Sequence, residues 1–575
     1  MKTTGLQPPV LRASTDGSVP RRWLALAVLC VALLMVNLDS TVLNVALPTL
    51  VRDLHATDSE LQWIVDAYVM VFAGLLLVMG SLADRVGRKR VFLTGLAAFA
   101  AGSAWAAFSG SVGMLIAARA SMGIGGAMMM PSTLSIITDA FRDPGERQRA
   151  IGMWAATSGL GIALGPIVGG LLLAHFWWGS VFLINVPIAV IGFACAVPLV
   201  PDSKNPDAKR PDVIGGLLSI AGLGLVLWAI IEAPTRGWSS ARVIGAGAAG
   251  LAVIGLFTVW ELKSPHPMLN LSFFRNRRFS GAIVSVGLVT FGLFGALFVL
   301  TQWLQFELGY TALQAGLRVI PAAAAIAVAA PLSAYAVRLA GSKFTLAAGL
   351  LIVAAGLWQL STASAGSTYL DMVPGMVMLG IGGGLAMPCA TASVMGSLPQ
   401  EHTGVGSATN GTFLQVGGAL GVAVIGSLLA TRYQSQMTGA LASYHVPAPA
   451  MQAILGSLGG ALAVAAHLGG YLGAALAHLA HLAFISGMDL GLRTGAAVAA
   501  VGGLLALAVM PSRPAAGSRP TGAAPDPAIS TPGPGPADPH PARRAALDQH
   551  LRAVTNQFRG APGSPGGSTG KGQRP

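Results

Sequence analysis

Long apolar stretches alternate along this chain with short polar loops. A transmembrane helix needs about 20 predominantly apolar residues to cross the hydrocarbon core of a bilayer. Stretches of that length recur about fourteen times, so the pattern predicts an all-α membrane protein. The predicted spans lie near residues 23–47, 61–80, 91–109, 112–133, 150–173, 179–200, 213–231, 241–260, 280–304, 319–337, 344–362, 371–395, 404–430 and 485–510.

One further stretch, 450–484, is rich in alanine and glycine and could be counted as another span. It is interrupted by His467, His478 and His481. An odd number of spans would also place the two chain ends on opposite sides of the membrane. We therefore interpret 432–484 as a long outer loop.

Basic residues are distributed unevenly between the two sets of loops. If the N-terminus lies inside the cell, the inner loops and both tails hold 28 of the 35 lysines and arginines, and six lie in the outer loops or in the outer parts of the adjoining spans. Lys and Arg resist translocation, so this bias supports the even count and predicts that both termini are cytoplasmic. The start of the chain, Arg21 and Arg22 before apolar residues, also resembles a signal peptide. The apolar run continues to Pro48 without a cleavage pattern, which favours a span.

Composition excludes several other classes of protein. With 53% hydrophobic and 10% charged residues, a soluble chain would have too little polar surface to cover its core. The net charge of +13 is scattered among apolar spans and forms no basic face interleaved with aromatics, so we expect no nucleic-acid partner. Cys30, Cys195 and Cys389 each lie in an apolar run, which argues against a disulfide framework or a cysteine metal site. The loop histidines lack acidic or thiol partners, so no metal is expected.

An internal repeat divides the chain. Residues 123–131 read GIGGAMMMP and residues 380–388 read GIGGGLAMP, an offset that corresponds to eight spans rather than six. Two halves of six spans therefore require two inserted spans between them. The predicted organisation is an N-terminal cytoplasmic segment 1–22, a six-helix bundle 23–200, a linker with two inserted helices 201–279, a second six-helix bundle 280–510 and a disordered basic cytoplasmic tail 511–575.

The most specific motif is GSLADRVGRKR at residues 80–90. It resembles the loop between the second and third spans of the major facilitator superfamily. The resemblance implies a fold of two six-helix bundles and a latch for the outward-facing state, in which Asp84 meets the facing half and Arg88 pairs with Asp139. The residues assigned to this latch are Gly80, Asp84, Arg85, Gly87, Arg88 and Asp139.

Two more motifs narrow the resemblance. The segment LDSTVLNVALP, residues 38–48, is similar to the first-span signature of the fourteen-span EmrB/QacA-type drug:H⁺ antiporters. A glycine-rich pattern in the fifth span resembles a motif of facilitator antiporters, although ordinary small-residue packing would also explain it. It consists of Gly161, Gly165, Pro166, Gly169 and Gly170.

Ionisable residues inside spans are candidates for the transport chemistry, because a charge at the bilayer centre costs at least ~2.5 kcal/mol. Asp39 and Arg119 are assigned to proton coupling, and Arg119 matches the fourth-span arginine of the family. Asp66 is assigned to a substrate cation or a proton. The alternatives are a helix-interface hydrogen bond for Asp39 and a solvated outer-mouth position for Asp66. In the second half Asn410 and Gln415 are the main polar candidates.

The resemblance implies proton-coupled efflux of lipophilic small molecules, cations included, such as drugs or antibiotics. It implies no cofactor, because the proton gradient supplies the energy, and no enzymatic activity. The expected partners are small-molecule substrates, protons and the lipid bilayer, with a periplasmic adaptor in a cell that has an outer membrane. An exporter of one endogenous metabolite or antibiotic is the main alternative, and a membrane protein without transport activity is the less favoured one.

Overall fold

The computed structural model describes residues 19–204, 211–265, 267–398 and 403–511. Most of the predicted N-terminal segment and of the predicted tail, residues 1–18 and 512–575, lie outside the described residues. The described part is helical throughout. Its helices are α1 Val19–Leu54, α2 Asp58–Val86, α3 Arg88–Ala107, α4 Val112–Ala140, α5 Pro144–His175, α6 Ser180–Leu183, α7 Asn185–Leu199, α8 Val213–Arg236, α9 Ala241–Lys263, α10 Arg277–Gln302, α11 Ala312–Arg318, α12 Ile320–Ser361, α13 Tyr369–Met395, α14 Thr403–Leu441, α15 Ala448–Gly456, α16 Leu458–Leu468 and α17 Gly470–Val509, with a 3₁₀ turn at Leu271–Arg275 and a π turn at Trp303–Glu307.

Every predicted span coincides with helix, which confirms the all-α membrane class. Within the described ranges, twelve helices are long and apolar enough to cross a membrane. One of them runs from Ala312 to Ser361 and contains two predicted spans, which meet at Gly341. The predicted span at 150–173 lies in α5. The count of fourteen spans stays a prediction.

Helix ends collect at two opposite ends of the bundle. The end near residues 86–90, 140–147 and 263–278 is called the basic end here, and the opposite end near residues 54–58 and 307–312 is called the far end. Polar side chains cap the helices where they begin, and Thr57 forms a capping box with Glu60 at the far end. These caps satisfy backbone N–H groups that the following apolar residues cannot reach.

The two halves repeat the same close helix contacts. In the first half, Gly125 on α4 packs against the backbone of α3 at Gly95 and Phe99. In the second half, Gly382 on α13 packs in the same way against Gly349 on α12. Only glycine allows two backbones to approach this closely, so the sequence repeat is a repeat of packing.

Both halves also turn at a glycine at the basic end. Gly87 between α2 and α3 has φ 125°, and Gly341 in the middle of α12 has φ 82°. Residues with a Cβ rarely adopt such angles, which explains a glycine at both positions.

The inserted helices α8 and α9 form a hairpin that packs on the outside of the bundle. Glycines of α8 lie against α2, and α8 also packs on α14 of the second half. Most of α9 is exposed, and it covers α8 through the contact of Gly250 with Val226. The hairpin therefore belongs to neither six-helix half alone.

The region predicted as the outer loop 432–484 is mostly helical. Helix α14 extends to Leu441 and α17 already begins at Gly470, with α15 and α16 between them. Apolar residues such as Ile454 and Leu458 are buried against the far end, which gives this alanine-rich segment a reason to fold. His481 Nδ1 lies 2.6 Å from Glu307 Oε2, so this histidine has a carboxylate partner.

Candidate transport site

A buried ion pair joins the first and fourth long helices. The Arg119 guanidinium donates to Asp39 Oδ2 at 2.6 Å, and both side chains are almost completely buried. Arg119 Nε also donates to the Ile64 carbonyl of α2 at 3.0 Å. Both residues were candidates for proton coupling on the basis of the sequence, and the structure brings them into contact.

The pair has further partners that hold it in place. Asn185, the first residue of α7, donates to Asp39 Oδ1 at 2.9 Å and to Ser103 at 3.3 Å. The Tyr68 ring lies 4.4 Å from the Arg119 guanidinium carbon. In a low-dielectric setting each charge depends on the other for compensation. Loss of either charge would therefore leave the other without compensation inside the bundle.

Asp66 is in a different environment, at the seam between the two halves. It lies on α2 one turn after Gln62, which contacts α14, and one turn before Met70, which contacts Gly224 of α8. Ser427 of α14 donates to Gln62 at 3.0 Å, and Leu76 contacts α14 at Gly411. Asp66 is fully buried rather than located in an open outer mouth, and neither of its carboxylate oxygens has a hydrogen-bond partner in the described part of the chain.

The second-half candidates lie on different faces of α14. Gln415 is on the face that carries Gly411, which meets α2, and so belongs to the same seam as Asp66. Asn410 faces α13, where Thr391 donates to its side-chain oxygen at 3.4 Å. Gln415 and Asp66 therefore belong to the same seam, about two helical turns apart along it, whereas Asn410 faces a different helix.

The glycine-rich motif of α5 has two packing faces. Gly161 and Gly165 lie against α1 at Asn37 and Thr41, inside the first half. Pro166 and Gly170 instead meet α11 of the second half: the Pro166 carbonyl contacts Gly316, and Gly170 contacts the backbone of Leu313. Gly169 contacts Val42 of α1. The motif thus closes the far end between the halves.

The same two helices separate toward the basic end. Gly152 lies five turns from Gly170 on the same face of α5, and among the described residues no atom outside its own stretch of helix backbone lies within 4 Å of the position its Cβ would occupy. Ala334 and its neighbour Tyr335, about four turns into α12, are exposed. The halves therefore meet at the far end of this seam and part at the basic end.

The latch residues form a cluster at the basic end of the first half. Arg88 Nε donates to Asp84 at 2.8 Å, and Arg88 Nη1 donates to Asp139 at 2.7 Å. Gly80 packs on Pro131 of α4, and Arg85 is exposed. Of the predicted contacts, the pairing of Arg88 with Asp139 is present. Asp84 pairs with Arg88 in this conformation, in which the basic end is open.

Several residues of the site could not be assigned from sequence. Asn185 contacts Asp39 across 146 residues of chain, and its only signal is a polar amide at the start of an apolar run. Gln305, in the π turn, donates to the Val45 carbonyl of α1 at 2.9 Å and ties the halves at the far end. π turns are frequent at functional sites, but nothing in the local sequence indicates one here.

Comparisons with known proteins agree with this geometry. A family profile described as "Major Facilitator Superfamily" matches residues 29–422. The chain is 36% identical over 479 residues to the multidrug efflux pump LfrA of Mycolicibacterium smegmatis, which covers 83% of this chain and 94% of that protein. It is 33% identical over 510 residues to the tetracenomycin C resistance and export protein of Streptomyces glaucescens, which covers 88% of this chain and 95% of that protein.

Solved structures resemble the fold at low sequence identity. A bacterial homologue of the human lysosomal transporter Spinster, crystallised in an inward-facing and unoccupied conformation, has a TM-score of 0.60 at 17% identity and covers 86% of this chain and 98% of that one. The peptide transporter POT in complex with sulfate has a TM-score of 0.57 at 17% identity and covers 84% of this chain and 94% of that one.

Proposed function

Since this chain belongs to the Major Facilitator Superfamily, we propose that it exports lipophilic small molecules, cations included, across the cell membrane in exchange for protons. The relatives named above are a multidrug efflux pump and an antibiotic resistance and export protein, and both are matched over more than nine-tenths of their length. Their names supply the substrate class of the proposal.

The observation that carries the proton-coupling step is the buried contact of Asp39 with Arg119. An ion pair this deep in a membrane bundle is costly unless both charges stay matched. A proton taken up by Asp39 from one side releases Arg119, and the return of the proton re-forms the pair. Exchange between the two arrangements then accompanies the change in which end of the protein is open.

The direction of transport follows from the charge distribution. Lys and Arg concentrate at the basic end, and this bias supports a cytoplasmic location for that end and for both termini. With the far end closed at Gly170 and Leu313, the structure corresponds to the inward-facing state in this orientation. Substrate enters between the halves from the cytoplasmic side and leaves when the far end opens.

The seam residues Asp66 and Gln415 contribute to substrate or proton binding in this proposal. Asp66 is a buried carboxylate without a hydrogen-bond partner among the described residues, so a cation or a proton there meets no competing donor. No residue of the site requires a cofactor, because the proton gradient supplies the energy.

An exporter dedicated to one antibiotic or metabolite is the second candidate, and the similarity to the tetracenomycin C export protein supports it. In a cell with an outer membrane, a periplasmic adaptor would be a further partner. The deciding experiment is transport into inverted membrane vesicles of a panel of cationic dyes, neutral antibiotics and the single compound tetracenomycin C. Proton-driven uptake of several unrelated compounds, abolished by a protonophore, supports polyspecific export. Uptake of one compound supports the dedicated exporter, and uptake that survives gradient collapse contradicts proton coupling.

A further inference from the structure

The inserted hairpin covers only one of the two seams between the halves, and the two seams also differ in their packing. The first seam, between α2 and α14, is packed near the far end through Gln62 with Ser427, and again at Leu76 with Gly411, about three turns before α2 ends. The second seam, between α5 and α11–α12, is packed at the far end and open at the basic end, at Gly152 and Ala334.

Helix α8 lies directly over the first seam. On α2, the glycines Gly216 and Gly224 of α8 contact Val78 and Met70. Gly74 of α2 in turn receives α8 at Ile220. Glycines on both partners allow close packing along several turns of the helix, and such packing is a main source of helix association in lipid.

Hydrogen bonds tie α8 to both halves near the far end. Ser59 of α2 donates to the Ile231 carbonyl at 3.1 Å, and both groups are buried. Trp238, just after α8, donates through Nε1 to Thr431 of α14 at 3.0 Å. A helix bonded to one half only would move with that half, whereas α8 has partners on both.

The basic end of the hairpin is also fixed. Asp212 caps the start of α8 through Gly215 N at 2.8 Å and accepts from the Trp260 indole of α9 at 2.9 and 3.0 Å. Glu261 accepts from Leu269 N at 2.9 Å, in the segment that leads into α10. The connection into the second half therefore leaves from a braced hairpin, and α9 shields α8 from lipid.

We propose that α8 and α9 form a fixed strap over the α2–α14 seam, so that a lipophilic substrate passes from the bilayer into the space between the halves only along the α5–α12 seam. The substrate route rests on the proposed export function. The strap itself concerns only the motion of the two halves of the protein, which hinge at the α2–α14 seam and open at the α5–α12 seam.

Cross-linking tests whether the strap stays fixed. In a protein whose three native cysteines are replaced, Val78→Cys/Gly216→Cys links α8 to α2, where the distance from Val78 Cβ to the Cβ position on Gly216 is 3.7 Å and suits a disulfide. Trp238→Cys/Thr431→Cys, joined by a flexible bismaleimide, links α8 to α14. Both links are expected to leave dye export within about twofold of the unlinked protein. A loss of about tenfold or more with either link, reversed by reduction in the disulfide case, would mean that α8 must move during transport and would overturn the strap.

Spin-label distances test the same motion without any transport assay. The pair Gly152→Cys/Ala334→Cys reports on the open seam, and the pair Leu217→Cys on α8 and Val284→Cys on α10 reports on whether α8 keeps its distance from the second half. Leu217 and Val284 lie away from the seam opening. All four positions are exposed and can carry a label. Between acidic and alkaline buffer in nanodiscs, the first distance distribution is expected to shift and the second to stay. Equal shifts in both pairs would overturn the proposal.

A bulky label in the α5–α12 seam tests whether substrate enters there. Ala334→Cys carrying a biotin-maleimide is expected to lose about tenfold of its export of ethidium, whereas the matched Leu256→Cys on exposed α9, carrying the same group, keeps it. Equal loss at both sites contradicts the one-sided route. If the unlabelled protein exports none of the dyes, the export function fails, and the spin-label distances still decide whether the strap is fixed.

Discussion

At the scale of single residues, Asp39→Asn is expected to abolish proton-driven export. The substitution removes the charge that Arg119 contacts at 2.6 Å and leaves a buried cation, which costs about 3–5 kcal/mol when one partner of a buried pair is lost. Thermal unfolding in detergent should therefore begin at a lower temperature than in the wild type. The measurement is dye export in inverted vesicles together with the amount of protein in the membrane.

The double variant Asp39→Asn/Arg119→Gln separates stability from coupling. Removal of both charges should restore much of the thermal stability, because no uncompensated charge remains. Export should stay absent, because the ion pair that is proposed to couple proton uptake to the conformational change is gone. Proton-driven export by either variant would remove Asp39 from the mechanism.

Asp66→Asn is expected to weaken export of cationic substrates and to spare neutral ones. Asn is close to Asp in shape, and the wild-type carboxylate has no hydrogen-bond partner among the described residues, so the packing of the α2–α14 seam should change little. Ethidium and a neutral antibiotic are compared in the same vesicles, with Asn410→Ala as a variant that alters a polar residue away from this seam. An equal loss for cationic and neutral compounds would indicate a structural or coupling role for Asp66.

At the scale of helices, the latch is expected to act through the paired contacts of Arg88. Arg88→Ala breaks contacts with Asp84 and Asp139 at once, and these groups are partly exposed, so the effect is on the conformational equilibrium rather than on folding. Transport should slow severalfold while substrate affinity in detergent changes little. Arg90→Ala removes an exposed charge from the same segment and serves as the matched control.

A double-mutant cycle locates the coupling. If Arg88 acts through Asp139, the variant Arg88→Ala/Asp139→Asn should be no slower than Arg88→Ala alone. Additive slowing, or single variants with the wild-type rate, would show that this pair does not set the equilibrium.

Within the glycine-rich motif of α5, Gly170 is expected to be required for close packing of the two halves at the far end. A Cβ on Gly170 would lie 2.5 Å from Leu313 Cα and 2.8 Å from the Ala312 carbonyl oxygen, and backbone cannot move aside as a flexible side chain does. Gly170→Ala should therefore favour separation of the halves at the far end and reduce export. Gly152→Ala, on the same face of α5 with open space before it, is the control. Labelling of a cysteine at Thr311 by an external impermeant thiol reagent should rise only in the Gly170 variant.

At the scale of the whole molecule, the proposed orientation predicts that the basic end is accessible only from the cytoplasmic side and the far end only from outside the cell. In the cysteine-replaced background, Val86→Cys at the basic end should react with an impermeant maleimide only in inverted vesicles. Tyr444→Cys and Tyr471→Cys, which replace side chains 62% and 86% exposed near the far end, should react only in intact cells. The opposite pattern would reverse the direction of transport proposed here.

The sequence by itself determined the membrane class and the helical character of each predicted span. The reason is that a bilayer constrains each helix separately: about 20 apolar residues are needed per span, and every backbone group must bond within its own helix. The motif at 80–90 and the acidic residues in the first half were also visible locally. The extent of helix in 432–484 was not, because an alanine-rich segment folds there only through burial against the far end.

Only the tertiary structure decided which polar groups meet. Asp39 is paired with Arg119 and held by Asn185, whereas Asp66 lies without a partner at the seam with α14. Nothing in the spacing of these residues distinguishes the two carboxylates. In lipid, helices of similar apolarity are sorted by backbone approach and by a few polar contacts rather than by a hydrophobic pattern. Those contacts join residues far apart in the chain, so the closed far end, the open basic end and the placement of α8 over one seam follow from three-dimensional packing alone.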